Sequence, residues 1–148
     1  MITATVSVDT SRFDRMLHDI PAALARAQRN ALKGIGAHVA SEATRAFRYP
    51  SLRPSPWAPR KDKKAKHPLL IKSGSLRQSM SWRIAAPDTV QIGSDRKYAG
   101  YHQFGTKRMP ARPFFPIDKS GRLTPRMEKK INADVEKAFA AEFARLKG

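Results

Sequence analysis

The hydrophobic pattern of this chain predicts an α+β fold, a small mainly antiparallel sheet with a long N-terminal amphipathic helix, a C-terminal helix and a long basic, proline-rich loop. Three observations carry that expectation. Apolar residues recur at helical spacing near both ends, short alternating segments lie at the start and in the middle, and strands do not alternate regularly with helices. At 148 residues the chain suffices for one hydrophobic core of ordinary size, so positions 1–148 read as one domain.

Taken in order, Ile2 to Val8 alternates apolar and polar positions and predicts a first strand. Asp9 and Thr10 then offer caps to a helical pattern in which Pro21 either kinks one helix or starts a second. Leu24, Ala27, Ala31, Ile35, Val39, Ala43 and Phe47 continue the stripe at steps of three and four, which places a helix from Pro21 to Phe47 against the sheet. Gly34 and Gly36 inside it mark either close packing against a neighbour or simple tolerance.

Positions 49–68 are rich in proline and carry Arg60, Lys61, Lys63, Lys64 and Lys66, the composition of a loop outside the core. Order resumes at Leu69. Ser75 is placed to cap a short helical turn, and Ser79 to Ala85 and Thr89 to Gly93 predict a hairpin around Pro87-Asp88. Thr124 caps a final helix with Pro125 in its first turn, over 124–148, with Met127, Ile131, Val135, Ala138, Phe139, Glu142 or Phe143, and Leu146 on its apolar face.

Charge narrows the function classes. Lys and Arg number 29 against 12 Asp and Glu, a formal +17, and Tyr49 to Leu123 holds 16 of the basic residues but only 4 acidic ones. Such a field favours polyanions or an acidic partner surface. There is no cysteine, which removes disulfides, thiolate metal sites and thiol nucleophiles. No apolar run is long enough to span a bilayer, and "MITATVSVDT" lacks the layout of a signal peptide, so no membrane association is expected and the protein reads as cytoplasmic or as part of a soluble particle.

Catalytic inventory is thin. His102 has no partner at a recognisable spacing, His18 and His38 lie on amphipathic helices, and His67 precedes a proline. Neither HxxxH, GxSxG nor GxxxxGK[ST] occurs, so no enzyme, cofactor or metal is expected. Trp57 and Trp82 belong to no basic-aromatic repeat of a single-strand or RNA module, and no helix has the side chains of a major-groove reader. The lysine-rich run suits phosphate contacts that read no sequence, or serves solubility.

The stretch "YAGYHQFGTKRMPARPFF" has a different character. Its aromatics, arginines and prolines form the combination that protein interfaces enrich, and some of these rings are expected to fill the core. Tyr98 and Phe104, which flank glycines, are expected to point inward, with His102 and Gln103 holding the turn by local hydrogen bonds. Arg112 is expected to leave its fork free for a neighbour's carboxylate or phosphate. Phe114 and Phe115 on an extended segment would face opposite sides, one into the core and one across to a neighbour.

"SPWAPRKDKK", "LLIKSGSLRQSM", "TVQIGSDRKYAGYHQFG" and "MPARPFFPI" resemble, in order and spacing over Ser55 to Ile117, the virion morphogenesis or tail completion proteins of Mu-like and related tailed phages. One departure is that Gly105 runs straight into "TKRM" without the further glycine often found there. The resemblance implies a non-enzymatic virion protein of the neck or tail end that joins head to tail as a homo-oligomeric ring, usually of six. It also implies contacts with other phage neck or tail proteins. Within it, Tyr98, Tyr101, His102, Phe104, Arg112, Phe114 and Phe115 are the expected subunit or neighbour interface. Arg60, Lys61, Lys63, Lys64 and Lys66 would meet packaged DNA non-specifically or an acidic partner. The alternative is a basic, sequence-independent nucleic-acid-binding module.

Overall fold

The computed structural model describes Ser7, Asp9 and residues 11–147, apart from the side chains of Arg12 and Phe13. The strand expected at Ile2 to Val8 lies outside the described residues. In order, the elements are α1 (Ser11–Ala46), a 3₁₀ turn (Pro50–Leu52), α2 (Ser75–Gln78), β1 (Met80–Ala86), β2 (Thr89–Ser94), α3 (Ala99–Phe104) and α4 (Pro125–Lys147). The α+β class holds, with a long N-terminal helix, an antiparallel pair and a C-terminal helix.

α1 is the spine. It starts where Asp9 Oδ1 accepts the Ser11 N–H at 2.9 Å, and it runs through Pro21 without a second start, although proline removes one internal hydrogen bond. The covered apolar side chains along it are Ala23, Ala27, Ala31, Leu32, Val39, Ala40, Ala43, Ala46 and, just past its end, Phe47. With alanine at six of these nine, neighbouring backbones come close, and stability rests on packing along the whole helix. Two members of the expected stripe depart from it. Leu24 is 40% exposed and Ile35 half-buried, because alanines carry the covered line.

α4 packs antiparallel on α1, and polar pairs link the two helices. Arg26 donates to Glu142 at 3.0 Å, His38 pairs with Asp134, and Arg126 pairs with the buried Glu42. On α4 it is Glu142, not its neighbour Phe143, that is buried; Phe143 is 46% exposed. The Arg26 hydrogen bond, helped by the charge of Arg145, holds the Glu142 carboxyl below the ordinary carboxylate range against the opposing effect of burial. Sequence reading set Glu142 beside Phe143 on the inward face without giving it a partner, and missed Glu42, a glutamate next to the apolar stripe of α1.

The hairpin lies across the middle of α1. Met80 pairs with Ser94, Trp82 with Ile92 and Ile84 with Val90, and an irregularity falls between Ile84 and Ala86. A Cβ on Gly36 would sit 2.5 Å from the Trp82 ring, so Gly36 is where the indole rests on the helix backbone. Of the two readings of the helix glycines, close packing holds at Gly36; at Gly34 the nearest atom, in Asp134, lies at an ordinary 3.8 Å.

Past the hairpin, the C-terminal end of α1 organises the rest. Ala43, Ala46, Phe47, Leu76, Ala99 and Phe114 form one buried cluster, with Leu52, Trp57, Leu70, Ile71, Met80 and Phe115 packed against it. The proline-rich loop is thus not wholly outside the core, since it contributes Leu52 and Trp57. Arg53, unremarked in the sequence, anchors it by donating to the carbonyls of Ala46, the last residue of α1, at 2.8 Å and of Phe47 just beyond it at 3.1 Å, with its guanidinium 3.6 Å from the Trp57 ring centre. The short α2 takes its start from Gly74 at φ 76°, with Ser73 Oγ accepting the Ser75 N–H at 3.3 Å; Ser75 itself is not the cap. Thr124 Oγ1 does accept from the Met127 N–H at the head of α4, at 3.4 Å.

Candidate functional site

The stretch from Tyr98 to Phe115 folds into a platform whose inner side is polar as well as apolar. α3 has helical periodicity, so Ala99 and Gln103, four residues apart, face inward and are buried. Tyr98, Tyr101 and Phe104, at steps of three, turn to solvent and are 40%, 56% and 62% exposed. This reverses the inward placement expected for Tyr98 and Phe104. Flanking glycines suggested a turn; a helix of six residues puts those rings on its outer face.

Gln103 is the bolt. Its Oε1 accepts the consecutive N–H groups of Phe114 and Phe115 at 3.0 and 2.9 Å, and its amide nitrogen reaches the Phe115 carbonyl at 3.5 Å. Two successive donors can share one acceptor only where the backbone curves. Phe114 is fully buried 5.0 Å from the Phe47 ring, and Phe115, half-buried, stays 5.1 Å from Phe114. The opposite-facing pair expected for an extended segment is therefore not formed, and Phe115 leans on the same cluster. Local hydrogen bonding was expected of Gln103, but it bridges to the PFF backbone rather than to its own turn.

Gly105 ends α3 at φ 74°, and a Cβ there would lie 2.7 Å from the Ala111 nitrogen, so both conformation and space require glycine. Thr106 and Met109 then close the "TKRM" loop through the Thr106 N–H to Met109 carbonyl bond at 2.9 Å. The chain returns so that the Arg112 N–H meets the His102 carbonyl at 2.6 Å.

Arg112 departs from its expected free fork. Its Nε and a terminal nitrogen donate to the carbonyls of Ala58 and Pro59, each at 3.0 Å, while Trp57 Nε1 donates to the Pro113 carbonyl at 2.7 Å. These bonds lash the proline-rich loop to the platform. Arg60 is similarly engaged with the carbonyls of Ala65, at 2.9 Å, and His67. That leaves Lys61, Lys63, Lys64 and Lys66 as the exposed cations of the run.

The four similar segments thus converge on one object. Trp57, Leu76, Ala99, Gln103, Arg112 and Phe114 come from separate stretches of the chain and hold a single platform together. The match to the phage virion morphogenesis family model spans residues 8–139, which takes in α1, the platform and most of α4. The chain belongs to the phage virion morphogenesis family. Among curated proteins and among solved structures, nothing matches the chain.

Membership of the phage virion morphogenesis family indicates a structural or assembly role in the phage. Among the described residues no group of three or more His, Asp or Glu converges to hold a metal, and no helix is long and apolar enough to cross a membrane. His102 is half-buried, its Nδ1 has no hydrogen-bond partner among the described residues, and Tyr98 stands edge-on at 6.0 Å. Burial first, and the Arg112 charge second, push its pKa below the ordinary 6.5.

A test of that placement follows from linkage. The folded state binds this proton less readily than the unfolded chain, so stability is full above about pH 6.5, falls as pH drops below it and levels off under the folded pKa. His102→Gln should remove this component. The difference in Tm between wild type and variant, followed from pH 8 to pH 5, should narrow toward acid; a constant difference would mean that the imidazole titrates as it does in solvent.

Proposed function

We propose that this chain is a non-enzymatic structural protein of the virion neck or tail end, assembling as a ring, six copies being the family expectation, that completes the tail and joins it to the head. The observation that carries the reading is the outward triad Tyr98, Tyr101 and Phe104 on a platform fixed by Gln103 and Arg112. Large rings held rigidly in solvent lose little entropy on docking and bury much area, which is what an assembly interface needs. Other neck or tail proteins are the natural further partners.

Phage carrying Tyr101→Ser with Phe104→Ser tests this. Both side chains are exposed, so the purified variant should melt within a few degrees of wild type, while completed particles fall by an order of magnitude or more. Normal particle yield from the variant would overturn the reading.

A role on DNA is the second reading, and one observation favours it: Lys61, Lys63, Lys64 and Lys66 are exposed on a loop whose one carboxylate, Asp62, accepts the Lys64 N–H at 2.9 Å. In a neck ring they would face packaged DNA or an acidic neighbour. Replacing the four by serine, with Arg60 kept for its carbonyl bonds, should leave Tm nearly unchanged, because solvated charges add little stability. DNA retention by finished particles should become more salt-sensitive. Retention equal to wild type across salt would assign the run to solubility.

A further inference from the structure

The hairpin on α1 is a sheet of two strands, so both of its strands are edges. β1 runs back along the helix: Met80 packs with the cluster around Phe47, the Trp82 ring rests on Gly36, and Ile84 to Pro87 stand over Ala25, Arg29 and Leu32. Among the described residues, neither strand has a backbone hydrogen bond to any segment but the other. Two strands also cover the helix incompletely. Trp82 is 37% exposed, and Ile84, Val90 and Ile92, which share its side of the sheet, are half-buried. On the β1 side the gap becomes a cleft of about 390 Å³ between Ala25 and Leu32 of α1 and Ile84 and Pro87 of the hairpin. An unpaired strand edge beside an apolar cleft is a template for a further strand.

The sequence supplies a matching strand in Ile2 to Val8. Its apolar positions Ile2, Ala4, Val6 and Val8 suit the side facing the cleft, and Thr3, Thr5 and Ser7 suit the outer side, where Ser81, Arg83 and Gln91 are exposed. Within one copy this segment cannot lie along the hairpin. Asp9 caps α1 at Ser11, so a chain doubling back starts level with the head of the helix, and the six steps from Val8 to Ile2 span about 20 Å. Ala25, over which the hairpin tip stands, is 14 residues along α1 from Ser11, about 21 Å. Even fully extended, Ile2 ends at the tip with β1 still ahead of it. The head of a neighbouring copy's α1, set beside β1, has no such limit.

We propose that Ile2 to Val8 of one copy adds as a third strand to the β1 edge of the next copy, covering the cleft and completing that sheet on assembly. Donor and acceptor are different surfaces, so the contact is heterologous and repeats from copy to copy, as a closed ring requires. This deepens the ring reading above and rests on it: it names the strand and the edge that join neighbours.

With no native cysteine, placed thiols report the contact. Thr5→Cys and Arg83→Cys sit mid-strand on the outer side, and a bis-maleimide longer than the roughly 7–8 Å between diagonal cross-strand neighbours tolerates a register shift of two residues. Virions carrying both changes should give a ladder of linked chains on denaturing gels. An equal mixture of the two single variants should give dimers only, and either variant alone should give none. Dimers from Arg83→Cys alone would mean that two β1 edges pair with each other, and a link confined to one chain would mean that the strand pairs within its own copy. Each of these, like virions that contain both thiols but no link, overturns the strand exchange while leaving the virion role standing. Absence of the wild-type chain from particles overturns the ring reading beneath it. Ala4→Asp with Val6→Asp gives a second readout: the purified chain should melt within a few degrees of wild type, while its incorporation into particles falls by an order of magnitude or more. Incorporation equal to wild type, or a large drop in monomer Tm, would also overturn the exchange.

Discussion

Phe114→Ala lowers the unfolding free energy by about 3–5 kcal/mol, the cost of removing a fully buried ring from a site that cannot collapse around the loss. The ring fills the space between Phe47 at the end of α1 and Phe115. It also borders Leu76 and Ala99, so four separate stretches of chain lose contact at once. Chemical denaturation should show a lower midpoint with little change in slope, and Tm should fall by roughly 10 °C for a chain of this size. Phe115→Ala is the comparison. Its ring is half-buried, so the loss should be less than half as large; equal losses would mean that the two phenylalanines are not divided between core and core edge.

Gln103→Met removes the acceptor while keeping most of the volume, leaving the Phe114 and Phe115 N–H groups without their partner. An orphaned buried donor costs about 1–3 kcal/mol, so roughly 2–5 kcal/mol is expected, with the lower part applying if water reaches the half-buried Phe115 amide. Gln103→Glu separates the two roles of the side chain. It retains the acceptor oxygen and loses the amide donor to the Phe115 carbonyl, and it should be the milder change above neutral pH. Amide hydrogen exchange at Phe114 and Phe115 provides the readout: fast exchange in Gln103→Met and slow exchange in Gln103→Glu. Slow exchange in both would show that something other than Gln103 protects this backbone.

How far the sequence showed the fold depends on whether a pattern was local. The helix periods, the hairpin around Pro87-Asp88 and the Thr124 cap were readable because each depends on neighbours within a few residues. The stretch "YAGYHQFG" was misread inside out, since two glycines and closely spaced aromatics look like a turn. Only the i, i+4 pair Ala99 and Gln103, small and polar, marked the inner face of a short helix. Arg112 and Arg60 were read as free cations because their partners are backbone carbonyls, which no side-chain pattern announces. The same holds for Arg53 on the end of α1. Glu42 was passed over, and Glu142 was placed inward without a partner; their arginine partners lie on the opposite helix, far away in sequence.

A neck or tail-end protein has a fixed place in the finished particle. Electron cryo-microscopy of wild-type virions, with density for this chain located by its 36-residue α1 against the shorter α4, tests that most directly. A closed ring at the head-proximal end of the tail, with the Tyr98 to Phe104 face buried between copies and the lysines of 61–66 turned toward the DNA path or an acidic neighbour, is the predicted result. A chain absent from the virion, or present as isolated copies with that face in solvent, would contradict it.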